Sequence, residues 1–152
     1  MIQSYIESPV ALTSNTSSVS FTTDCIRSRG ANCCGWLQHS EGSPIYKILE
    51  GGLYEVTFNA NVTSATAGPV ALSLLVDGLP ASGATAIETV VTPGDYSNVA
   101  FTKKIKICCR GDASLSIASI PSVLTGTTLP GTATDTVVPI IQNANFSITR
   151  KG

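Results

Sequence analysis

Five cysteines are the residues of this sequence with the most conspicuous chemistry: Cys25, Cys33, Cys34, Cys108 and Cys109. Four thiolates can close a tetrahedral zinc site, but neither adjacent pair has the Cys-x-x-Cys spacing of common zinc motifs. Neighbouring residues of a strand point to opposite faces, so one adjacent pair cannot chelate one ion without a local distortion. We therefore expect no metal and no cofactor. The cysteines are interpreted as small buried side chains, as free thiols, or as disulfide partners between residues 25–34 and residues 108–109.

The only histidine, His39, is followed by Ser40 and Glu41, which places a base, a hydroxyl and an acid side by side in the sequence. Neighbours on an extended chain face apart, whereas a catalytic triad needs three groups that converge in space. The other glutamates lie in unrelated contexts, so no pair is suggested for glycoside cleavage. We predict that the protein is not an enzyme and that His39 is a loop histidine beside Trp36 and Gln38.

Alternation of apolar and polar residues is the strongest structural signal. Between Gly52 and Thr63, every second residue is apolar, which is typical of a strand with one buried face: Tyr54, Val56, Phe58, Ala60 and Val62. The same period recurs in residues 70–76, 99–109, 113–118 and 144–148. Lys103 falls on the apolar side of its segment, which predicts a strand end or a bulge.

Turn residues separate these segments. Asp77-Gly78 is a dipeptide preferred in tight hairpins, and Arg110-Gly111-Asp112 predicts a second hairpin between the segments on either side of it. That tripeptide also spells an integrin-type motif, but Gly-Asp is ordinary turn chemistry. Residues 121–136 are rich in Thr, Gly and Pro and are predicted to form a long exposed loop.

Length and composition indicate one domain of 152 residues, with an irregular part at 1–45 that holds short strands and a main sandwich at 46–152. We predict about eight to ten antiparallel strands in an all-β sandwich. The net charge of -1 gives no general attraction to nucleic acid or anionic lipid. The N-terminus lacks an export signal and no apolar run of membrane length occurs. We therefore expect synthesis in a cytoplasm, with no nucleic acid and no membrane as partner.

Residues 46–58 contain a short strand, a glycine turn, Leu53-Tyr54 and then alternating apolar residues. This pattern resembles the Gly-Leu-Tyr strand of tumour-necrosis-factor-like jelly rolls, which include the globular heads of complement proteins. Residues 58–72, followed by a Val-Asp-Gly hairpin and a strand that ends in paired cysteines, are similar to small jelly-roll proteins of phages and spore-forming Clostridia. The resemblance implies a jelly-roll homotrimer on a virion or spore surface. The sequence departs from the spore-surface type because it has no Gly-X-Y collagen stalk.

Two observations suggest a subunit interface. Charged residues make up only 12% of the chain, and several apolar residues fall at positions where a solvent-exposed sheet would have polar ones. The candidates are Leu53, Leu75, Val137, Val138, Ile140 and Ile141. A closed threefold assembly would bury them, and the alternative is that loops of the same chain cover them.

The expected function is a non-enzymatic structural protein on the surface of a phage virion, made in the cytoplasm of the bacterial host. It would be a trimeric capsid decoration or fibre-tip protein, with the major capsid protein or a fibre as its partner. The alternative is a glycan- or receptor-binding adhesion module on a spore or cell surface. In that case Trp36 and Tyr96 would stack on a host-surface glycan.

Overall fold

The computed structural model describes residues 1–26, 35–108, 112–121 and 136–151. Within these ranges all regular elements are strands, and no helix is long and apolar enough to cross a membrane. The strands are β1 (Ile2–Ile6), β2 (Val10–Ala11), β3 (Thr23–Ile26), β4 (Leu37–Gln38), β5 (Tyr46–Ile48), β6 (Gly52–Ser64), β7 (Gly68–Val76), β8 (Leu79–Val90), β9 (Ser97–Ile107), β10 (Ala113–Ser119) and β11 (Pro139–Arg150).

Two antiparallel sheets form the fold. The first has the order β3-β1-β11-β6-β9, with β2 paired to β11, and the second has the order β4-β5-β10-β7-β8. Most neighbours within a sheet are distant in sequence, as in β1 beside β11, which is the connectivity of a jelly roll. The predicted fold class is confirmed. The described residues form one strand more than the predicted upper bound of ten, in part because the sequence pattern does not predict β1.

The core lies between the sheets and follows the alternation in β6. Tyr54, Val56, Phe58 and the other apolar residues of this strand's inward side are completely buried. Aromatic rings from other strands pack beside them, and the Phe21 and Phe146 rings stack with centroids 5.5 Å apart. Each fully buried large apolar side chain stabilises the fold by roughly 1.5–3 kcal/mol, so these residues account for much of the force that holds the sheets together.

A bulge in β11 lets apolar residues at odd positions before it and at even positions after it point to the same side of the strand. Pairing with β6 shifts between Gln142 and Asn145, and Asn143 adopts a φ of 50°. One extra residue moves the following side chains to the other face of the strand. Ile141 before the bulge and Ala144 after it are therefore both buried in the core.

The hairpin at Asp77-Gly78 is confirmed. Val76 pairs with Leu79, so the loop contains two residues, and their φ angles are 52° and 80°. Positive φ at both positions is characteristic of a type I′ turn, whose twist matches that of the strands. Asp77 also accepts a hydrogen bond at Oδ1 from the Ser114 backbone N–H, at 2.7 Å, which ties this turn to β10.

The second predicted hairpin is wrong. β9 pairs with β6 in the first sheet, whereas β10 pairs with β5 and β7 in the second. The chain between Ile107 and Ala113 therefore passes from one sheet to the other. Turn residues indicate where a chain changes direction, but not which strand it pairs with afterwards.

Lys103 lies in the middle of β9, opposite Val56, in a register without a shift. The predicted strand end or bulge at this position is therefore wrong. A lysine can place its methylene stem against the core while its amine reaches the edge. The Lys103 amine lies next to Gly83 of β8: a Cβ placed on Gly83 would be 3.4 Å from Lys103 Nζ. This side chain therefore spans the gap between the edge strands of the two sheets.

Candidate functional site

A polar cluster lies between the edge strands β3 and β4, each of which borders a different sheet. Ser4 is in the centre of β1 on its core-facing side and pairs in register with Asp24 of β3. His39 follows β4 directly, and Tyr46 is the first residue of β5. The two sheets thus bring four residues with hydroxyl, carboxyl, imidazole and phenol groups to one edge of the sandwich.

Hydrogen bonds connect Ser4, Asp24 and His39 in a chain, whereas the buried Tyr46 hydroxyl has no hydrogen-bond partner among the described residues. The Ser4 hydroxyl donates to Asp24 Oδ1 at 2.5 Å, and Asp24 Oδ2 lies 2.5 Å from His39 Nδ1. The second ring nitrogen, Nε2, lies 2.9 Å from the backbone oxygen of Ser43. The His39 side chain is 0% exposed and the Asp24 side chain 8%, so this is a buried carboxyl–imidazole pair whose polar atoms have partners.

Aromatic contacts fix the His39 ring in place. It stacks on the Tyr46 ring with centroids 3.7 Å apart and planes within 3°, and Tyr46 packs edge-on against Phe146 at 4.9 Å. Burial raises the pKa of the Tyr46 phenol far above its usual value, while Ser4 lowers it and the nearby Asp24 carboxylate raises it further. The phenol therefore remains neutral in the folded protein.

The cluster contains the residue types of a catalytic triad but not its connectivity. In a triad, the carboxylate holds one imidazole nitrogen and the other nitrogen takes the proton of the nucleophile. Here that nitrogen of His39 faces the Ser43 carbonyl, and the Ser4 hydroxyl binds the carboxylate instead. The arrangement can hold two sheets together, but it presents no activated nucleophile.

The sequence predicts a loop position for His39 beside Trp36 and Gln38 and does not indicate its partner, Asp24. The two residues are 15 positions apart, and Asp24 lies in the first sheet whereas His39 directly follows β4 of the second. No local pattern connects them. The only signal was indirect, because a single histidine in a chain with few charges needs a partner if it is buried.

A shallow groove opens beside the cluster. It has a volume of about 240 Å³ and is lined by Gln38, His39, Ser40, Ser43, Ile45 and Lys47. Small-molecule sites usually enclose about 300–1,000 Å³ and are mostly apolar. This groove is smaller and largely polar, so apolar contacts would contribute little to the affinity for a small-molecule ligand.

The two predicted ligand contacts do not form one site. Trp36 is half-buried, with its ring 5.3 Å from that of Tyr54, near the start of β6. Tyr96 is 42% exposed and precedes β9, whose first residue pairs with Val62. Positions 54 and 62 are roughly 25 Å apart along a strand, so a single small ligand cannot touch both rings.

The predicted interface residues lie in three places. Leu53, Val138 and Ile140 lie on the outer side of the first sheet, near its two ends, and Leu53 and Val138 are each 40% exposed. Leu75 is on the second sheet and half-buried.

The other two predicted interface residues point inward. Val137 covers Gly68 within the same chain. Ile141 is fully buried in the core, so its assignment to a subunit interface is wrong. The alternation of β11 before its bulge points this side chain inward.

Cys25 and Cys108 are free thiols, the first partly buried in β3 and the second exposed after β9. Cys33, Cys34 and Cys109 lie outside the described residues, so the proposed disulfide stays a prediction. In the part of the chain that the structure describes, no group of three or more His, Cys, Asp or Glu residues is arranged to hold a metal ion.

The outer side of the first sheet carries a flat surface of uncharged polar residues, which we call the neutral face. Thr57 and Thr102 face each other across β6 and β9 with hydroxyls 3.2 Å apart, and Asn98 donates to Asn61 at 3.2 Å. The set includes the polar residues Gln3, Tyr5, Thr57, Asn59, Asn61, Asn98, Thr102, Gln142, Asn145 and Ser147, together with the small apolar Ala100. Glu55, Lys104 and Lys106 lie at one end of this surface.

No family model and no curated protein matches the sequence. Solved structures do match. The globular domain of the zebrafish complement 1qA protein superposes with a TM-score of 0.64 at 10% identity, over 99% of this chain and 96% of that chain. Eiger TNF from S. frugiperda superposes with a TM-score of 0.57 at 7% identity, over 100% and 92%. The resemblance read from residues 46–58 is therefore confirmed at the level of the fold: this chain has the jelly-roll fold of the complement 1q head and of TNF.

Proposed function

We propose that the protein is a non-enzymatic structural protein that assembles as a homotrimer on the surface of a phage virion. Its place there is that of a capsid decoration or fibre-tip protein, in contact with the major capsid protein or a fibre. The neutral face is the structural feature that supports assembly into a homotrimer. The phage assignment is supported by the sequence resemblance of residues 58–72 to small phage jelly-roll proteins.

The neutral face is suited to contact with another protein chain. Burying a charge costs several kcal/mol unless it is paired, and this surface carries none in its centre. Short Thr, Ser and Asn side chains also lose little conformational entropy when they are fixed. The face is four strands wide, with about 4.8 Å for each strand, and extends about 20 Å along them, so its area is roughly 400 Å².

A stable interface usually buries about 800 Å² on each partner. The neutral face supplies half of this, so adjoining residues must contribute. Leu53 at one end and Val138 with Ile140 at the other are apolar residues on the same side of the sheet. Together they extend the surface along the strands.

The hydrogen bonds of the His39 cluster support a structural role for these residues and not a catalytic one. Both ring nitrogens are engaged, one with Asp24 and one with the Ser43 carbonyl. A general base needs a free nitrogen within reach of the proton it abstracts. This cluster therefore contributes rigidity to a building block.

Light scattering coupled to size exclusion tests the trimer. We expect a mass of about 47 kDa, three times the 15.7 kDa of one chain. Asn59→Arg puts a charge in the centre of the neutral face and is expected to give monomers. Gln38→Arg, an exposed position on the second sheet, is the matched control and should leave the trimer intact. A monomeric wild-type protein, or a trimeric Asn59→Arg variant, contradicts the proposed interface.

The virion role is tested separately. We expect genes for capsid, portal or tail proteins beside this gene, and peptides of this protein in phage particles purified from the bacterium that carries it. Particles that contain the major capsid protein but lack this chain would contradict the role, even if the trimer is found.

Binding of a glycan or receptor on a spore or cell surface is the second candidate function, favoured by the exposed ring of Tyr96. An exposed aromatic ring can stack on a sugar. Retention on a glycan array that disappears in Tyr96→Ala would support it. If the wild-type protein and Tyr96→Ala are retained equally, Tyr96 does not contribute to glycan binding.

A further inference from the structure

We infer that the folded protein holds His39 as a doubly protonated imidazolium, and that the His39–Asp24 pair is a proton-operated clasp between the two sheets. The inference rests on the geometry of the ring and is independent of the proposed function. Nδ1 lies 2.5 Å from the Asp24 carboxylate, and Nε2 lies 2.9 Å from the backbone oxygen of Ser43.

Both partners of the ring accept hydrogen bonds and do not donate them. A backbone carbonyl oxygen is an acceptor only, as is an ionised carboxylate, whereas a neutral imidazole has one donor and one acceptor nitrogen. Each ring nitrogen must therefore carry a proton. A free carboxyl is a stronger acid than a free imidazolium by about 2.6 pH units, so the shared proton resides on His39 and the pair is ionic.

The position of the pair makes it a clasp. Asp24 belongs to β3, the edge of the first sheet, and His39 follows β4, the edge of the second. Two backbone contacts reinforce the same edge. The Asp24 N–H donates to Glu41 Oε1 at 3.0 Å, and the Gly42 N–H donates to the Phe21 oxygen at 2.8 Å.

Within residues 1–26, 35–108, 112–121 and 136–151, few other charges face the pair. β1 contributes the Ser4 hydroxyl, β5 contributes the neutral Tyr46 phenol, and the loop contributes Glu41. Lys47 of β5 lines the groove that also contains His39. The His39 side chain is 0% exposed, so the groove passes beside the residue without exposing the imidazole.

Loss of the proton opens the clasp. One ring nitrogen would then direct a lone pair at an acceptor, and the Asp24 carboxylate, 8% exposed, would lose its counter-charge. The clasp is therefore closed while both ring nitrogens carry protons, and removal of one proton at higher pH weakens it. The chain has one histidine, so His39→Gln removes the whole histidine contribution to the pH dependence of stability.

Nitrogen-15 NMR of the labelled histidine reads the protonation state directly, and the single histidine makes the assignment certain. At about pH 5.5, we expect two ring N–H protons and two nitrogens with imidazolium shifts in the folded protein. An unprotonated ring nitrogen under these conditions would overturn the inference. This measurement on the wild-type protein decides the question even if variants of the pair fail to fold.

Urea unfolding at several pH values tests the clasp itself. From about pH 5.5 to about pH 8, the unfolding equilibrium constant of the wild-type protein is expected to rise about tenfold. One proton, which the unfolded histidine releases near about pH 6.5, limits this rise to about thirtyfold. Asp24→Asn and His39→Gln should be less stable at acidic pH and lose this dependence. Glu41→Gln, which changes an adjacent carboxylate outside the pair, should retain it. A flat wild-type profile, or a slope that persists in His39→Gln, would refute the clasp.

Discussion

Replacing Gly68 with alanine tests the packing that the structure assigns to Val137. A Cβ at position 68 would lie 2.7 Å from Val137 Cγ1, and the φ of Gly68 is 150°, where residues with a side chain are strained. Strain of this kind costs about 1–3 kcal/mol, and overpacking of a filled site costs about 1–3 kcal/mol more. We expect Gly68→Ala to lower the unfolding free energy by about 4 kcal/mol, a fall in Tm on the order of 10 °C for a chain of this size.

Two further variants separate the steric and backbone contributions. Gly78 has a φ of 80°, but no atom lies within 4 Å of the place where its Cβ would stand, so Gly78→Ala reports backbone strain alone, about 1–2 kcal/mol. The double variant Gly68→Ala/Val137→Ala should recover the steric part and retain the strain. The coupling between the two sites should then be about 1–3 kcal/mol.

Urea unfolding at one fixed protein concentration is the assay, because the stability of an oligomer depends on concentration. If Gly68→Ala costs no more than Gly78→Ala, or if Val137→Ala gives no recovery, Val137 does not cover Gly68. If Val137→Ala instead changes the mass of the assembly, then this residue belongs to a subunit interface.

Three other outcomes are expected. Burial raises the pKa of Tyr46, so wild-type stability should fall as pH rises above about 10, where an unfolded tyrosine ionises. Urea unfolding of Tyr46→Phe should lack this part of the alkaline decline, and an unchanged decline would argue against a neutral buried phenol. Asp77→Ala removes two hydrogen bonds to Ser114 and leaves alanine at a φ of 52°; it should cost about 1–3 kcal/mol in the same assay, whereas Asp77→Asn should cost less. Limiting iodoacetamide should label the exposed Cys108 before the partly buried Cys25, as measured by peptide mass spectrometry, and the reverse order would contradict these exposures.

The faces of the strands were predictable from sequence. In β6 the residues predicted to face inward, from Tyr54 to Val62, are all completely buried. The turn at Asp77-Gly78 was predictable for a similar reason, since positive φ angles at two successive positions favour these residue types. Both signals depend on the backbone geometry of a few adjacent residues.

Strand pairing was not predictable in this way. The sequence between β9 and β10 contains hairpin-type residues, yet the two strands belong to different sheets. The sequence does not predict β1 because five residues at the chain start give a short pattern, and its place between β3 and β11 depends on a strand more than 130 positions away.

The sequence by itself determined an all-β jelly roll, the inward side of its longest strand, β6, and a low content of charged residues. Only the tertiary structure decided which strands are neighbours, that Ile141 is in the core, and that Asp24 meets His39 at the open edge of the sandwich. The physical reason is the sequence separation of the residues that interact. Side-chain alternation follows from the local pleat of one strand, whereas a buried ion pair between sheets requires two distant segments that only the complete fold brings within hydrogen-bonding distance.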